Sequence, residues 1–191
     1  MSGLFGNWPT IGAYDGTETG VLDTGNLAGE NPESGKMTLL QLATAMKNLG
    51  STVSHATVAG TRYYQNFSLG VQTKITGLEV LVGATGGTDN WIVELHDSTG
   101  ALVATSALAG TLAGTANQFQ RIAFTAPYTA LAGTYYLALQ SNGNTATYGA
   151  YVTPAQGAAL NGSAGGVFGT SAAITPPTTW TQGLGPMMDL Y

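Results

Sequence analysis

From about residue 58 onward, the sequence consists of short runs whose residues alternate with a period of two. Successive side chains of a strand point to opposite faces, so such runs predict strands when they are rich in β-branched and aromatic residues. In the run NWIVELHD, positions 91, 93 and 95 share one face, while Ile92, Glu94 and His96 share the other. The expected strands lie at 62–69, 74–83, 90–98, 101–106, 119–126, 133–141, 147–153 and 187–191.

Turn signals separate these runs and favour antiparallel pairing. The segment DSTGA joins two runs, with Asp97 and Gly100 in the positions expected of a hairpin turn. The segments GATGGTDN and SNGN are further turns rich in Gly and Asn. Many short strands with a single predicted helix indicate a mostly β chain, and we expect an antiparallel jelly-roll-like β-sandwich over residues 56–191. The irregular stretch 154–186 is expected to cover a partner surface.

Residues 1–55 have a different texture and predict an N-terminal anchoring or assembly segment, with a short β-hairpin followed by one α-helix. Thr38 and Gln41 form a capping box at the start of a helix that spans about 38–49. Leu39, Leu42 and Met46 then fall on one face of that helix. A helix of this length is marginal in water by itself, so we expect its apolar face to dock on a partner.

Composition excludes several classes of protein. Disorder requires low hydrophobicity with high net charge, whereas this chain is 43% apolar with a net charge of −5. Its five Lys and Arg residues are scattered, so no basic stripe predicts a nucleic-acid partner. Cysteine is absent, which excludes disulfides and thiolate metal sites, and no apolar run is long enough to predict a membrane span. The first residues lack a secretory signal pattern, so synthesis in the cytoplasm is expected.

Few residues offer catalytic chemistry, and we expect no catalytic residue, no metal ligand and no cofactor. His96, Asp97 and Ser98 are adjacent in sequence, but neighbours in a strand point to opposite faces, which favours a turn over a catalytic set. His55 is isolated and is interpreted as a linker or interface residue. Asp89 and Glu94, with Asp97, lack the spacing of a calcium-binding motif.

Aromatic residues leave two alternatives open, namely packing inside the sheet and contact at an outer surface. Adjacent Tyr pairs in a strand place one ring on each face, so each pair offers at most one exposed ring. Trp8 and Trp180 lie in segments flanked by proline, where a Trp is either an interface anchor or an ordinary buried residue. The candidates for outer-surface or glycan contact are Tyr148, Tyr151 and Trp180.

Two parts of the chain resemble known phage proteins. The pattern GTETGVLDTG, a loop, and then KMTLLQLATAM is similar to a hairpin-plus-helix unit of phage tail-fibre and head-fibre proteins. The strings ITGLEVLVGATGGTDNWIVELHDSTGALVATSALAGTLAGTANQFQRIAFTAPY and ITPPTTWTQGLGPMMDLY resemble jelly-roll modules of phage structural proteins, which are typically homotrimeric virion components. The chain lacks the repeated shaft of long fibres, and this favours a compact knob on the virion surface.

The resemblance implies a bacteriophage structural protein, and we expect a homotrimeric capsid decoration protein that docks on the major capsid protein or other virion proteins and stabilises the outer surface of the virion. The alternative is a tail-fibre or receptor-binding module that attaches to a host-surface glycan. An enzyme is not expected. Under the first hypothesis, the residues expected to anchor the protein to the capsid or to a neighbouring subunit are Leu4, Phe5, Trp8, Leu39, Leu42 and Met46.

Overall fold

The computed structural model describes residues 52–153 and 159–191, and within these ranges the chain forms β-strands and no helix. These strands belong to the compact unit formed by residues 50–191. The first strand begins at Thr52, before the expected domain start at residue 56, and the predicted hairpin and helix lie outside the described residues. The strands are β1 (Thr52–Ala56), β2 (Arg62–Leu69), β3 (Thr73–Leu81), β4 (Asn90–His96), β5 (Leu102–Thr105), β6 (Thr111–Leu112), β7 (Phe119–Ala130), β8 (Gly133–Ser141), β9 (Thr147–Tyr151), β10 (Asn161–Ala164) and β11 (Met188–Leu190).

The larger sheet has the strand order β10-β2-β8-β4-β5, with β6 pairing β4 beside β5. All of its pairings are antiparallel. The turn between β4 and β5 is the hairpin that the sequence predicts, since Asp97 Oδ1 accepts the N–H groups of Thr99 at 2.8 Å and Ala101 at 3.0 Å. Gly100 completes it with φ +86°, a conformation that residues with a Cβ rarely adopt.

The smaller sheet has the order β11-β3-β7, and β1 pairs separately with β9. An isolated bridge between Val82 and Tyr148 connects the end of β3 to β9. The chain passes from the larger sheet to the smaller one between β2 and β3 and returns at β4, and it crosses again on either side of β7. This repeated crossing produces the antiparallel, jelly-roll-like sandwich that the strand pattern predicts, and the predicted last strand is confirmed as β11.

The main core lies between the inner faces of these sheets. It combines Val93, Leu95 and Leu137 of the larger sheet with Leu78 and Ile122 of the smaller one, and all five are at most 1% exposed. Positions 91, 93 and 95 share one face of β4, as the alternation predicts, and the structure shows that this face lines the core. Burial of apolar side chains at roughly 25 cal/mol per Å² is the main stabilising term for such a body.

The outer face of the larger sheet is also buried, which the sequence did not predict. Strands β4 and β8 are buried on both faces over most of their length. A second, smaller apolar cluster lies on this outer face and is formed by Tyr64, Tyr136, Ala138 and Ile174. Ile174 belongs to residues 165–186, which we name the C-terminal strap. The expectation that the stretch 154–186 covers a partner surface is corrected, because its described part adds β10 to the sheet and then covers the sheet of its own chain.

Within the described ranges, no helix is long and apolar enough to span a membrane.

Candidate functional site

A buried polar cluster lies on the outer face of the larger sheet, beneath the strap. Glu94 and His96 project from β4 on the same face, and Arg62 reaches them from β2 across the intervening strand β8. Arg62 donates to the Glu94 carboxylate from Nε and also from Nη2, the latter to Oε1 at 3.2 Å. His96 Nε2 lies 3.2 Å from Glu94 Oε2, and all three side chains are at most 4% exposed. We name these three residues the Arg62 cluster.

The electrostatics of this cluster are set by burial and by pairing. Burial by itself raises the pKa of the Glu94 carboxyl, but the hydrogen bonds from His96 and Arg62 outweigh it and hold that pKa below its ordinary value. The His96 Nδ1 atom lies 3.2 Å from the carbonyl oxygen of Gly100. Both ring nitrogens therefore face oxygen atoms that can accept a hydrogen bond. Glu94 is a paired carboxylate, which suits it to a structural role.

The strap closes over this cluster through backbone carbonyl groups. Arg62 Nη2 donates to the carbonyl of Thr170 at 3.0 Å, and Gln140 Nε2 donates to the carbonyl of Val167 at 3.4 Å. The strap also donates, from Ile174 N–H to the carbonyl of Gly100 at 2.9 Å. Because Gly100 accepts from the strap and lies beside His96, the β4–β5 turn links the strap to the Arg62 cluster. The three side chains of the cluster are buried, and the hydrogen bonds of Arg62 and Gly100 hold the strap on the sheet.

The catalytic alternative at His96, Asp97 and Ser98 is not supported by the geometry. His96 is fully buried and points toward Glu94 and the carbonyl of Gly100. Asp97 Oδ1 accepts from the Thr99 hydroxyl and from two backbone N–H groups, and these hydrogen bonds lower the pKa of Asp97. The turn interpretation of this tripeptide is therefore confirmed.

Metal ligation finds no support among the described residues, where no group of three or more His, Asp or Glu side chains could hold an ion. Asp89 is 7% exposed, and its Oδ2 accepts the backbone N–H groups of Thr145 at 2.7 Å and Ala146 at 2.6 Å. Backbone donors therefore occupy this carboxylate oxygen, and Asp89 clamps the β3–β4 loop to the β8–β9 loop. No sequence pattern indicates this role, because the partners are backbone groups from a distant loop.

Two of the three aromatic candidates for an outer surface are corrected by the structure. Tyr148 is fully buried in the core, where its hydroxyl donates to the carbonyl of Leu184 at 2.7 Å and its ring stacks on His55 with centroids 5.0 Å apart. Tyr151 is 2% exposed because the strap pairs along it, through the carbonyl of Gly185 and the N–H of Gly183. Burial and the nearby Asp189 charge raise the pKa of Tyr151 to about 12.

The remaining predicted site residues have different outcomes. Trp180 lies in the strap and is half-buried, so both of its predicted roles stay open. His55 is half-buried in β1, and its ring contacts the rings of Tyr148 and Tyr63. Among the described residues, no acidic side chain forms an ion pair with it. The six predicted anchoring residues all lie outside the described residues: Leu4, Phe5, Trp8, Leu39, Leu42 and Met46.

One end of the sandwich presents two exposed apolar side chains on neighbouring loops. Val71, in the β2–β3 loop, is 69% exposed, and Leu131, in the β7–β8 loop, is 64% exposed. The two loops are neighbours because Leu69 pairs with Gly133 and Thr73 pairs with Ala130. We name Val71 and Leu131 the apolar tip. No periodicity predicts it, because both residues lie in loops.

The comparisons with known proteins add no identification. No family model matches the chain, and neither a curated protein nor a solved structure matches it. The fold alone does not define a function, since proteins with β-sandwich folds have many unrelated functions.

Proposed function

We propose that this chain is a bacteriophage structural protein, a homotrimeric capsid decoration protein that docks on the major capsid protein at the outer surface of the virion. The observation that carries the proposal is a sandwich with almost no surface charge. Among the described residues, Lys74 and Arg121 are the exposed charged side chains, Glu79 and Asp97 are partly exposed, and Arg121 is paired with Glu79. A surface with so little charge resists association poorly, which suits a protein that functions while docked in an assembly.

The arrangement of buried charge supports the same proposal. The charges of the Arg62 cluster are used inside the body, where they hold the strap on the sheet. The described residues thus form a body closed on both faces of its larger sheet. A decoration protein that binds only the assembled shell stabilises that shell by mass action. Three-fold symmetry of the decoration protein multiplies its weak contacts with the shell. The apolar tip supplies a contact surface for the shell or for a neighbouring subunit.

The test measures oligomeric state and shell binding of the full-length chain. Light scattering coupled to size-exclusion chromatography is expected to give a trimer, and the chain is expected to co-sediment with phage shells that lack it and to raise their melting temperature. Substituting Trp8 and Leu42 by Ala is expected to reduce co-sedimentation. A second variant, Val71→Ser with Leu131→Ser, distinguishes the contribution of the apolar tip to co-sedimentation from the contribution of the N-terminal segment.

The outcomes separate the two hypotheses. A chain that leaves shells unbound and instead binds a glycan array saturably, with loss on substituting Trp180 by Ala, would establish the host-attachment alternative. A monomer that binds neither shells nor glycans would refute both.

A further inference from the structure

The chain contains two Asn-Gly dipeptides, at Asn142-Gly143 and Asn161-Gly162, and the fold treats them oppositely. In such a dipeptide, the backbone nitrogen of the glycine can reach the side-chain amide carbon of the asparagine, because glycine carries no Cβ to hinder the approach. Both dipeptides have the same local chemistry. The difference between them is therefore set by tertiary structure alone.

Asn142 lies in the exposed turn between β8 and β9. Its Oδ1 accepts the backbone N–H of Asn90 at 2.7 Å, which polarises the amide carbonyl and places a donor where negative charge develops during attack. The N–H of the neighbouring Gly143 points to Ser141 Oγ, an acceptor 3.2 Å away. The turn therefore places the polarised side-chain carbonyl of Asn142 next to the Gly143 nitrogen, whose proton is already hydrogen-bonded to Ser141 Oγ.

Asn161 lies in β10 and is 3% exposed. Its Nδ2 donates to the carbonyl of Thr181 at 2.8 Å, and its Oδ1 accepts the N–H of the same residue at 2.7 Å. Its own backbone and that of Gly162 pair with Gln65 and Tyr64 in the sheet. At Asn161, unlike at Asn142, the amide nitrogen is also held, the side chain is buried, and the attacking backbone belongs to a sheet, so reaction requires that β10 open locally.

We propose that Asn142 is a site of spontaneous deamidation in the folded protein, and that the fold protects Asn161. The Gly143 nitrogen forms a bond to Cγ of Asn142 as the bond from Cγ to Nδ2 breaks, and the proton lost by Gly143 leaves on the departing ammonia. Water then adds across one carbonyl–nitrogen bond of the cyclic imide, giving aspartate or isoaspartate at position 142.

The modification changes a loop that the fold uses as a clamp. It introduces a carboxylate where Asn142 Oδ1 now accepts the N–H of Asn90, the residue next to Asp89. The isoaspartate form also inserts a backbone atom between Asn142 and Gly143, which displaces the amides of Thr145 and Ala146 from that carboxylate. A modified chain is therefore expected to unfold at lower denaturant concentration than an unmodified one.

The test uses the full-length chain, incubated folded in mildly alkaline buffer at physiological temperature and sampled over time by peptide mass spectrometry. Conversion at position 142 is expected to be at least about tenfold faster than at position 161, which corresponds to about 1.4 kcal/mol of local opening at β10. The same incubation in concentrated denaturant provides the matched control. There the two dipeptides are expected to react at similar rates, because only their shared local chemistry remains.

Asn142→Ser provides the second control, since it removes the reactive amide and is expected to abolish the fast product while leaving the slow one at position 161. Equal conversion of the two sites in the folded chain would overturn the proposal. So would conversion of Asn161 ahead of Asn142, or a ratio between the sites that denaturation leaves unchanged.

Discussion

Replacing Glu94 by Gln removes one charge from an ion pair that solvent does not reach. The substitution preserves side-chain size but leaves Arg62 buried without its counter-charge, and Arg62 and Glu94 are at most 4% exposed. Breaking a buried pair from one side costs about 3–5 kcal/mol, because the remaining charge stays desolvated. For a body of this size, we therefore expect the melting temperature to fall by roughly 6–12 °C at the low end of that cost.

A matched control exists on the smaller sheet. Glu79 pairs with Arg121, whose side chain is 69% exposed, so solvent compensates for a lost partner. Glu79→Gln is expected to leave stability unchanged within experimental error. Both variants are measured by thermal unfolding and by urea unfolding at neutral pH, with circular dichroism verifying that the β-sheet content is retained.

A double-mutant cycle separates the ion pair from general effects on packing. Arg62→Met removes the positive charge. Glu94→Gln is therefore expected to lower the free energy of unfolding less in the Arg62→Met variant than in the unaltered chain, with a coupling free energy of about 1–3 kcal/mol. The reasoning is refuted if Glu94→Gln destabilises the chain no more than Glu79→Gln, or if the two changes in the cycle are additive.

Further predictions concern acid stability and the attachment of the strap. The Glu94 carboxyl has a lowered pKa in the folded state, so its contribution to stability is present above the pKa of the unfolded chain and is lost as pH falls through the folded value. Urea midpoints followed from neutral pH into this acidic range are thus expected to fall less in Glu94→Gln than in the unaltered chain, and an equal slope would contradict this. Gly100→Ala is expected to destabilise the chain by about 1–2 kcal/mol or more, because φ is +86° and the added Cβ would lie 2.0 Å from the carbonyl oxygen of Ile174. Gly70→Ala, where a Cβ meets no atom within 4 Å, is the control for thermal unfolding and should be close to neutral. Ile174→Ala is expected to cost about 2–5 kcal/mol and to speed amide exchange in the strap, whereas Val167→Ala, at a side chain 70% exposed, should do neither.

The strand pattern illustrates how much of the fold can be predicted from the sequence. Alternation in NWIVELHD correctly separates the two faces of β4, because side-chain direction in a strand is a local property. Asp97 and Gly100 likewise predict their hairpin, since turn geometry depends on the residues within the turn. These features need no knowledge of what packs against the strand.

The Arg62 cluster shows where local prediction ends. The sequence places Glu94 and His96 on one face of β4, but it does not show that Arg62 reaches them across β8 or that a strap covers them. A polar face next to an irregular stretch is compatible with exposure to solvent. Only the packing of residues 165–186 on the sheet makes that face an interior, and this packing joins positions far apart in the chain.

The same limit applies to Tyr148 and Tyr151, for which the sequence leaves open both packing inside the sheet and contact at an outer surface. The sequence by itself determined that this chain is mostly β, where its strands and turns lie, and which residues of each strand share a face, because these depend on backbone geometry over a few residues. Tertiary structure alone decided which of those faces meet solvent. A face becomes buried when a distant segment covers it, and no local pattern records that contact.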